Sequence, residues 1–186
     1  MTTLVNRFKD GASVARNAAE AFFEKMDEVL AEKAEAHVAI TGGTVGIATL
    51  AEIAANPRAA SFDFNRINFW WGDERFVPAA DGDRNALQAH NALFSKITID
   101  SSKLHPFPSA DNGLNLDEAA AQFAKYVASV KPHFDLVFLG MGPDGHINSL
   151  FPGKPTPAAG VQIVAEHDSP KPPPQRLDRK STRLNS

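Results

Sequence analysis

Phe134-Asp135-Leu136-Val137-Phe138-Leu139-Gly140-Met141-Gly142-Pro143-Asp144-Gly145-His146-Ile147-Asn148-Ser149-Leu150-Phe151-Pro152-Gly153 is the stretch whose reading decides the fold. Residues 134–139 are a nearly unbroken apolar run, the pattern of a strand buried on both faces of a parallel sheet. The run passes directly into a loop containing Gly140, Gly142, Gly145, an aspartate and a histidine. In open α/β sheets ligands bind outside the carboxyl ends of the strands. One stretch therefore predicts both a parallel sheet and a site at its edge.

Outward from it, strands and helices alternate. Residues 11–35 read as an amphipathic helix, with Val14, Ala18, Ala21, Phe22, Met26, Val29 and Leu30 at three- and four-residue spacing and Asp10 as its N-cap. His37-Val38-Ala39-Ile40 is a strand, followed by an alanine-rich helix that ends near Ala55 because Asn56-Pro57 stops it. Ile67-Asn68-Phe69-Trp70-Trp71 is a second strand and residues 83–96 a helix. Leu104-His105-Pro106-Phe107 is a weaker strand whose proline suits an edge. Residues 115–130 form a helix with Leu116, Ala119, Ala120, Phe123, Tyr126, Val127 and Val130 on one face, and Val161-Gln162-Ile163-Val164-Ala165 is a further strand. This rhythm predicts an α/β fold, Rossmann-like, with a mainly parallel sheet flanked by helices. Ser169-Pro170-Lys171-Pro172-Pro173-Pro174 is an extended proline-rich segment, and Leu177 to Ser186 is polar and basic without a period. We therefore expect a domain over residues 1–176, and over 177–186 a disordered tail resembling foreign sequence.

The bulk composition narrows the function. A chain of 186 residues, 43% hydrophobic, suffices for one domain with a sizeable core. A net charge of −3 argues against nucleic acid as the main partner, yet leaves room for a small anion held by a few placed cations. The absence of cysteine excludes disulfides, thiol catalysis and zinc-thiolate sites. No apolar run reaches the ~18 residues of a membrane span, and the first residues lack the regions of a signal peptide, so the expected location is the cytoplasm.

Three polar segments follow predicted strands. Thr41-Gly42-Gly43-Thr44-Val45-Gly46 offers close backbone approach and helix-start N–H groups to an anion such as phosphate, or is simply a tight turn. It is neither a Walker A loop nor a dinucleotide fingerprint. Trp70-Trp71-Gly72-Asp73-Glu74-Arg75-Phe76-Val77-Pro78, with Asp81 and Asn85 behind it, supplies a guanidinium fork for phosphate, or a surface salt bridge. No histidine stands near these carboxylates at ligand spacing, so no metal is expected. In the third segment His146 suits a general base near neutral pH, and Asp144 either orients it or ties down the loop.

Together and in this order, these segments resemble the 6-phosphogluconolactonase family, within the glucosamine-6-phosphate deaminase-like (NagB/RpiA/CoA-transferase-like) superfamily. Residues 140–153 are close to a family signature, Trp71-Gly72-Asp73-Glu74-Arg75-Phe76-Val77 has the family's sense, and residues 167–176 match a further segment. The glycine loop departs from the usual Ser-Gly-Gly-Ser-Thr-Pro while keeping hydroxyls and glycines, and Asn148 stands where alanine is common. Family members continue beyond this point, so the fold is expected to be incomplete at the C-terminus, without a lysine the family uses on phosphate. The resemblance implies hydrolysis of 6-phospho-D-glucono-1,5-lactone to 6-phosphogluconate, with no metal and no organic cofactor. His146 would be the base beside Asp144. Gly42, Gly43, Thr44, Asp73, Arg75, Lys171 and Arg176 would bind substrate, and backbone N–H groups of 142–145 would face the oxyanion. The partner is then a phosphorylated sugar lactone, not nucleic acid or membrane. The rivals are a sugar-phosphate isomerase or deaminase, which would want an additional acidic base, a non-catalytic sugar-phosphate binder, and an unstable fragment.

Overall fold

The structure, a computed structural model, describes residues 3–155 and 161–179. Helix α1 (Gly11–Glu32) starts where the Asp10 carboxylate accepts from Ser13 N at 2.8 Å, and it buries Ala15, Ala19, Phe22, Phe23, Met26 and Val29. Strand β1 (Ala36–Ile40) leads through the Thr41–Gly42 turn into α2 (Gly43–Ala55). Strand β2 (Ile67–Trp71) is buried throughout, and after Gly72 the chain forms β3 (Asp73–Arg75). Helix α3 (Asn85–Ala89) continues as a π-helical turn, His90–Phe94, within the helix expected over 83–96. Then come β4 (Leu104–His105), α4 (Leu116–Val130), β5 (Leu136–Val137), β6 (Ile163–Glu166) and β7 (Arg176–Arg179). Helix α4 opens with a capping box: Asn115 accepts from Glu118 N, and the Glu118 carboxylate accepts from Asn115 N, both at 2.9 Å.

A four-stranded sheet in the order β4-β2-β1-β5 is parallel throughout. Alternation along β2 shows what covers its two faces. Phe69 stacks on Phe22 of α1 and meets Phe94 edge-on at 5.1 Å, and Trp71 also reaches Phe94. Trp70, pointing the other way, stacks on His105 at 4.0 Å and meets Phe123 and Tyr126 of α4. Helices on both faces make this the expected α/β architecture. The proline after His105 leaves β4 at the edge, as its sequence suggests.

Three expectations need correction. Residues 134–139 do not form a doubly buried strand: pairing is confined to Leu136 and Val137, both only half-buried. The reason is position, because among the described residues β5 is bonded on one side alone, to β1. Second, the strand expected over 161–165, observed as β6, does not join the parallel sheet. β3, β7 and β6 form an antiparallel sheet with β7 in the middle. Third, residues 177–179 are not tail: Leu177 is fully buried, and β7 registers Asp178 against Asp73 and Arg176 against Arg75. Residues 180–186 lie outside the described residues. The two sheets meet at Gly72, whose N–H donates to Ile40 O at 2.9 Å while its carbonyl accepts from Arg179 N at 2.8 Å.

Candidate active site

Period-two alternation builds the site. Directly opposed residues of an antiparallel pair point the same way, so Asp73, Arg75, Arg176 and Asp178 share one face of the small sheet, with Glu166 of β6 beside Arg176. That face is turned to residues 140–153. Ser149 Oγ donates to Asp73 at 2.7 Å and Ser149 N to Asp178 at 2.6 Å, so one serine ties two buried carboxylates. Arg176 lies over the Phe151 ring, 5.7 Å from its centroid. On the opposite face Glu74 is fully buried and accepts from Arg75 N, Asn85 N and Ala86 N at 2.7–2.9 Å, which anchors the start of α3.

The three polar segments converge. Asn85 donates from Nδ2 to the Asp73 carbonyl at 3.0 Å and presses on the glycine loop: a Cβ at Gly42 would lie 2.0 Å from its Oδ1. Thr41 borders the third segment, since a Cβ at Gly140 would sit 3.7 Å from Thr41 Oγ1. Gly42 is the N-cap of α2, so the first amides of that helix, from Gly43 and Thr44 onward, have no carbonyl partner within the helix and suit an anion.

His146 and Asp144 do come together: Nδ1 lies 2.6 Å from Asp144 Oδ1. The imidazole also stacks on Phe151 with centroids 4.9 Å apart. Gly142 must be glycine, because a Cβ there would lie 2.0 Å from the ring. Lys171 joins the pair, its Nζ 2.8 Å from Asp144 Oδ1 and 3.0 Å from His146 Nδ1. The Lys171 hydrogen bond first, and that of His146 second, hold the Asp144 carboxyl well below the usual carboxylate range. Asp144 is therefore ionised and keeps negative charge beside the imidazole.

Other expected site residues, Asp73, Arg75 and Arg176, make contacts within the protein. Asp73 is buried away from solvent; burial raises its pKa, opposed by the Ser149 hydroxyl, Arg75 and Arg176. Arg176 is also buried and donates to the carbonyls of Pro173, Lys171 and Pro172, with Nη1 3.9 Å from Asp73. It thereby fastens the turn that carries Lys171. Within the 142–145 stretch expected to face the oxyanion, Gly142 N donates to His146 O and Gly145 N to Gly142 O, and Pro143 has no N–H. Arg75 donates from Nη1 to Asp83 O at 2.7 Å, and its Nε, buried, has no protein acceptor among the described residues.

Sequence reasoning missed Ser149 and Phe151 as site-building residues, and placed Glu74 beside a guanidinium rather than at the start of α3. No local spacing marks the bonds of Ser149 to Asp73 and Asp178 or the approach of Arg176 to Phe151, because those partners are distant in sequence. Among the described residues no three His, Asp or Glu side chains are grouped to hold a metal, and no helix is long and apolar enough to cross a membrane.

The geometry is that of an α/β protein whose ligand site lies beyond the carboxyl ends of parallel strands, with an anion-suited helix start and a carboxylate-held histidine. Its sequence matches, over residues 9–185, the family described as glucosamine-6-phosphate isomerases/6-phosphogluconolactonase. The 6-phosphogluconolactonase of Streptomyces coelicolor is 36% identical over 184 residues, covering 91% of this chain and 69% of that protein. That of Mycobacterium tuberculosis is 36% identical over 186 residues, covering 95% and 74%. The crystal structure of 6-phosphogluconolactonase from Thermotoga maritima superposes with a TM-score of 0.83 at 28% identity, covering 99% of this chain and 80% of that one. The chain belongs to the glucosamine-6-phosphate isomerase/6-phosphogluconolactonase family.

Proposed function

We propose that this protein hydrolyses 6-phospho-D-glucono-1,5-lactone to 6-phospho-D-gluconate, the lactone-opening step of the oxidative pentose phosphate pathway, in the cytoplasm. The observation that carries the reading is the Asp144–His146 contact, in the loop whose Gly140 borders Thr41 just before a helix start suited to phosphate. The substrate's phosphate is bound by the amides of Gly43 and Thr44, with Gly42 giving close approach, and by the Arg75 guanidinium. Asp144 accepts the Nδ1 proton of His146, which leaves Nε2 to take a proton from water. That water adds to the lactone carbonyl. As the tetrahedral intermediate collapses, His146 returns the proton to the ring oxygen and the ester C–O bond breaks. With the Gly142 and Gly145 amides engaged, the Lys171 ammonium is a positive charge available to the developing oxyanion. Asp73 and Arg176 position these groups from behind.

The test is hydrolysis of fresh lactone coupled to 6-phosphogluconate dehydrogenase, against a buffer blank, with glucosamine-6-phosphate as alternative substrate. We expect lactone turnover, reduced about 10²–10⁴-fold in His146→Ala. Turnover no faster than the blank, or turnover of glucosamine-6-phosphate in its place, would sink the reading.

A further inference from the structure

Asp144 Oδ1, His146 Nδ1 and Lys171 Nζ form a triangle with edges of 2.6, 2.8 and 3.0 Å. An ammonium only donates, an ionised carboxylate only accepts, and a neutral imidazole nitrogen does one or the other. If Nδ1 carries the proton, it bonds Asp144 and meets Lys171 donor to donor. If Nδ1 is bare, it accepts from Lys171 and meets Asp144 lone pair to lone pair. One edge is repulsive in either case while Lys171 stays, and only the first arrangement leaves Nε2 bare to act as a base.

The three corners differ in freedom. His146 is fixed by the Phe151 stack, by Gly142 beneath its ring and by the Gly142 N–His146 O bond, and Asp144 lies two residues before it in the same loop. Lys171 ends a long flexible stem, and 38% of its side chain is exposed. Its backbone, by contrast, is held: Lys171 N donates to Ser169 Oγ and its carbonyl accepts from Arg176. The ammonium is thus the corner that can leave while its anchor stays.

We propose that Lys171, besides offering its charge to the oxyanion, gates His146. With the site empty its ammonium competes with Asp144 for Nδ1, and both imidazole tautomers are populated. The carbonyl oxygen of the bound lactone, or the carboxylate of the product, draws the ammonium off, Nε2 releases its proton to solvent, and Nδ1 takes one up and bonds Asp144. The net protonation of the ring is unchanged, but the base is set only when ligand is present. This rests on the reading of His146 as the base, though its test does not require turnover.

The experiment is two-bond ¹H–¹⁵N correlation of the imidazoles in the whole chain, with His146 assigned by its loss in His146→Gln. We expect mixed-tautomer nitrogen shifts in the free protein and a move to the Nδ1–H tautomer on addition of 6-phosphogluconate. Lys171→Met should show the Nδ1–H tautomer without ligand and no further change with it. A free protein already wholly Nδ1–H, or a Lys171→Met spectrum matching the parent, overturns the gate. If 6-phosphogluconate perturbs neither His146 nor the Gly43 and Thr44 amides, the substrate assignment fails; the comparison of the two empty proteins still decides the gate.

Discussion

β2 and β7 are both buried along their whole length, for opposite reasons. β2 is Ile67-Asn68-Phe69-Trp70-Trp71, and its aromatics fill the space between the sheet and helices on both faces. Removing that apolar area from water is what places it. β7 is Arg176-Leu177-Asp178-Arg179, with one apolar residue to bury. Its position comes instead from backbone pairing on both sides, to β3 and β6, and its charges follow the backbone inward. Among the described residues, Asp178 Oδ1 and Arg179 Nε and Nη2 are buried without a hydrogen-bond partner, and the Arg179 guanidinium rests 4.2 Å from the centroid of the Phe134 ring. Burial that drives folding and burial that opposes it occur in strands that meet at Gly72.

The comparison can be broken at several points. The largest effect belongs to β2: Phe69→Ala should cost about 3–5 kcal/mol in denaturant unfolding. A cost under about 1 kcal/mol would mean that the aromatic layer is not what anchors the sheet.

Asp178→Asn should instead stabilise. Burial first, and the neighbouring Asp73 charge second, push the Asp178 pKa from 3.8 up to about 7. Between those values the folded chain holds a proton that the unfolded chain has released, so stability falls as pH rises through that window. Below it the penalty is absent; above it the penalty is complete. The asparagine variant should therefore match the parent near pH 4 and exceed it by a few kcal/mol, order of magnitude, at pH 8. Glu74, pushed up to about 7 by burial against the pull of Arg84 and three backbone amides, contributes a slope of the same sign. Asp178→Asn should flatten the pH dependence of Tm only in part. A parent whose Tm rises from pH 4 to pH 8 would contradict both assignments.

Ser149→Ala leaves the N–H to Asp178 but removes the hydroxyl from Asp73, a buried carboxylate. The expected cost is roughly 1–3 kcal/mol, read by thermal unfolding above pH 7. Smallest is Asn115→Ala, far from both strands in function, at about 1 kcal/mol. If the cap mutant costs as much as Ser149→Ala, the buried carboxylates are not under the tension described.

Legibility in the sequence followed the same division. β1, β2 and the long helices were readable because their apolar spacing records which side faces the core, and Asp10 and Asn115 mark their starts. The Asp144–His146 pairing was readable because two residues in one tight loop are close whatever the fold does. β3 was hidden because Asp-Glu-Arg has little preference for strand. β7 was hidden because charge at three of its four positions looks like a solvated tail. Both exist by pairing with each other. The same long-range registration fixed what the sequence left open about Arg176 and Asp73, which turn inward to Lys171's turn and to Ser149.

The register of Asp73 with Asp178 also sets an order of events in synthesis. Among the described residues, the four strands of the parallel sheet are all made once Val137 has left the ribosome, and they can close on their helices from then on. β3 must wait until β7 is made before it gains a partner, and Lys171 is held in its turn by the same arrival. A nascent chain can therefore carry a settled core alongside an unassembled site. The pairing of β3 and the seating of Lys171 both wait for β7.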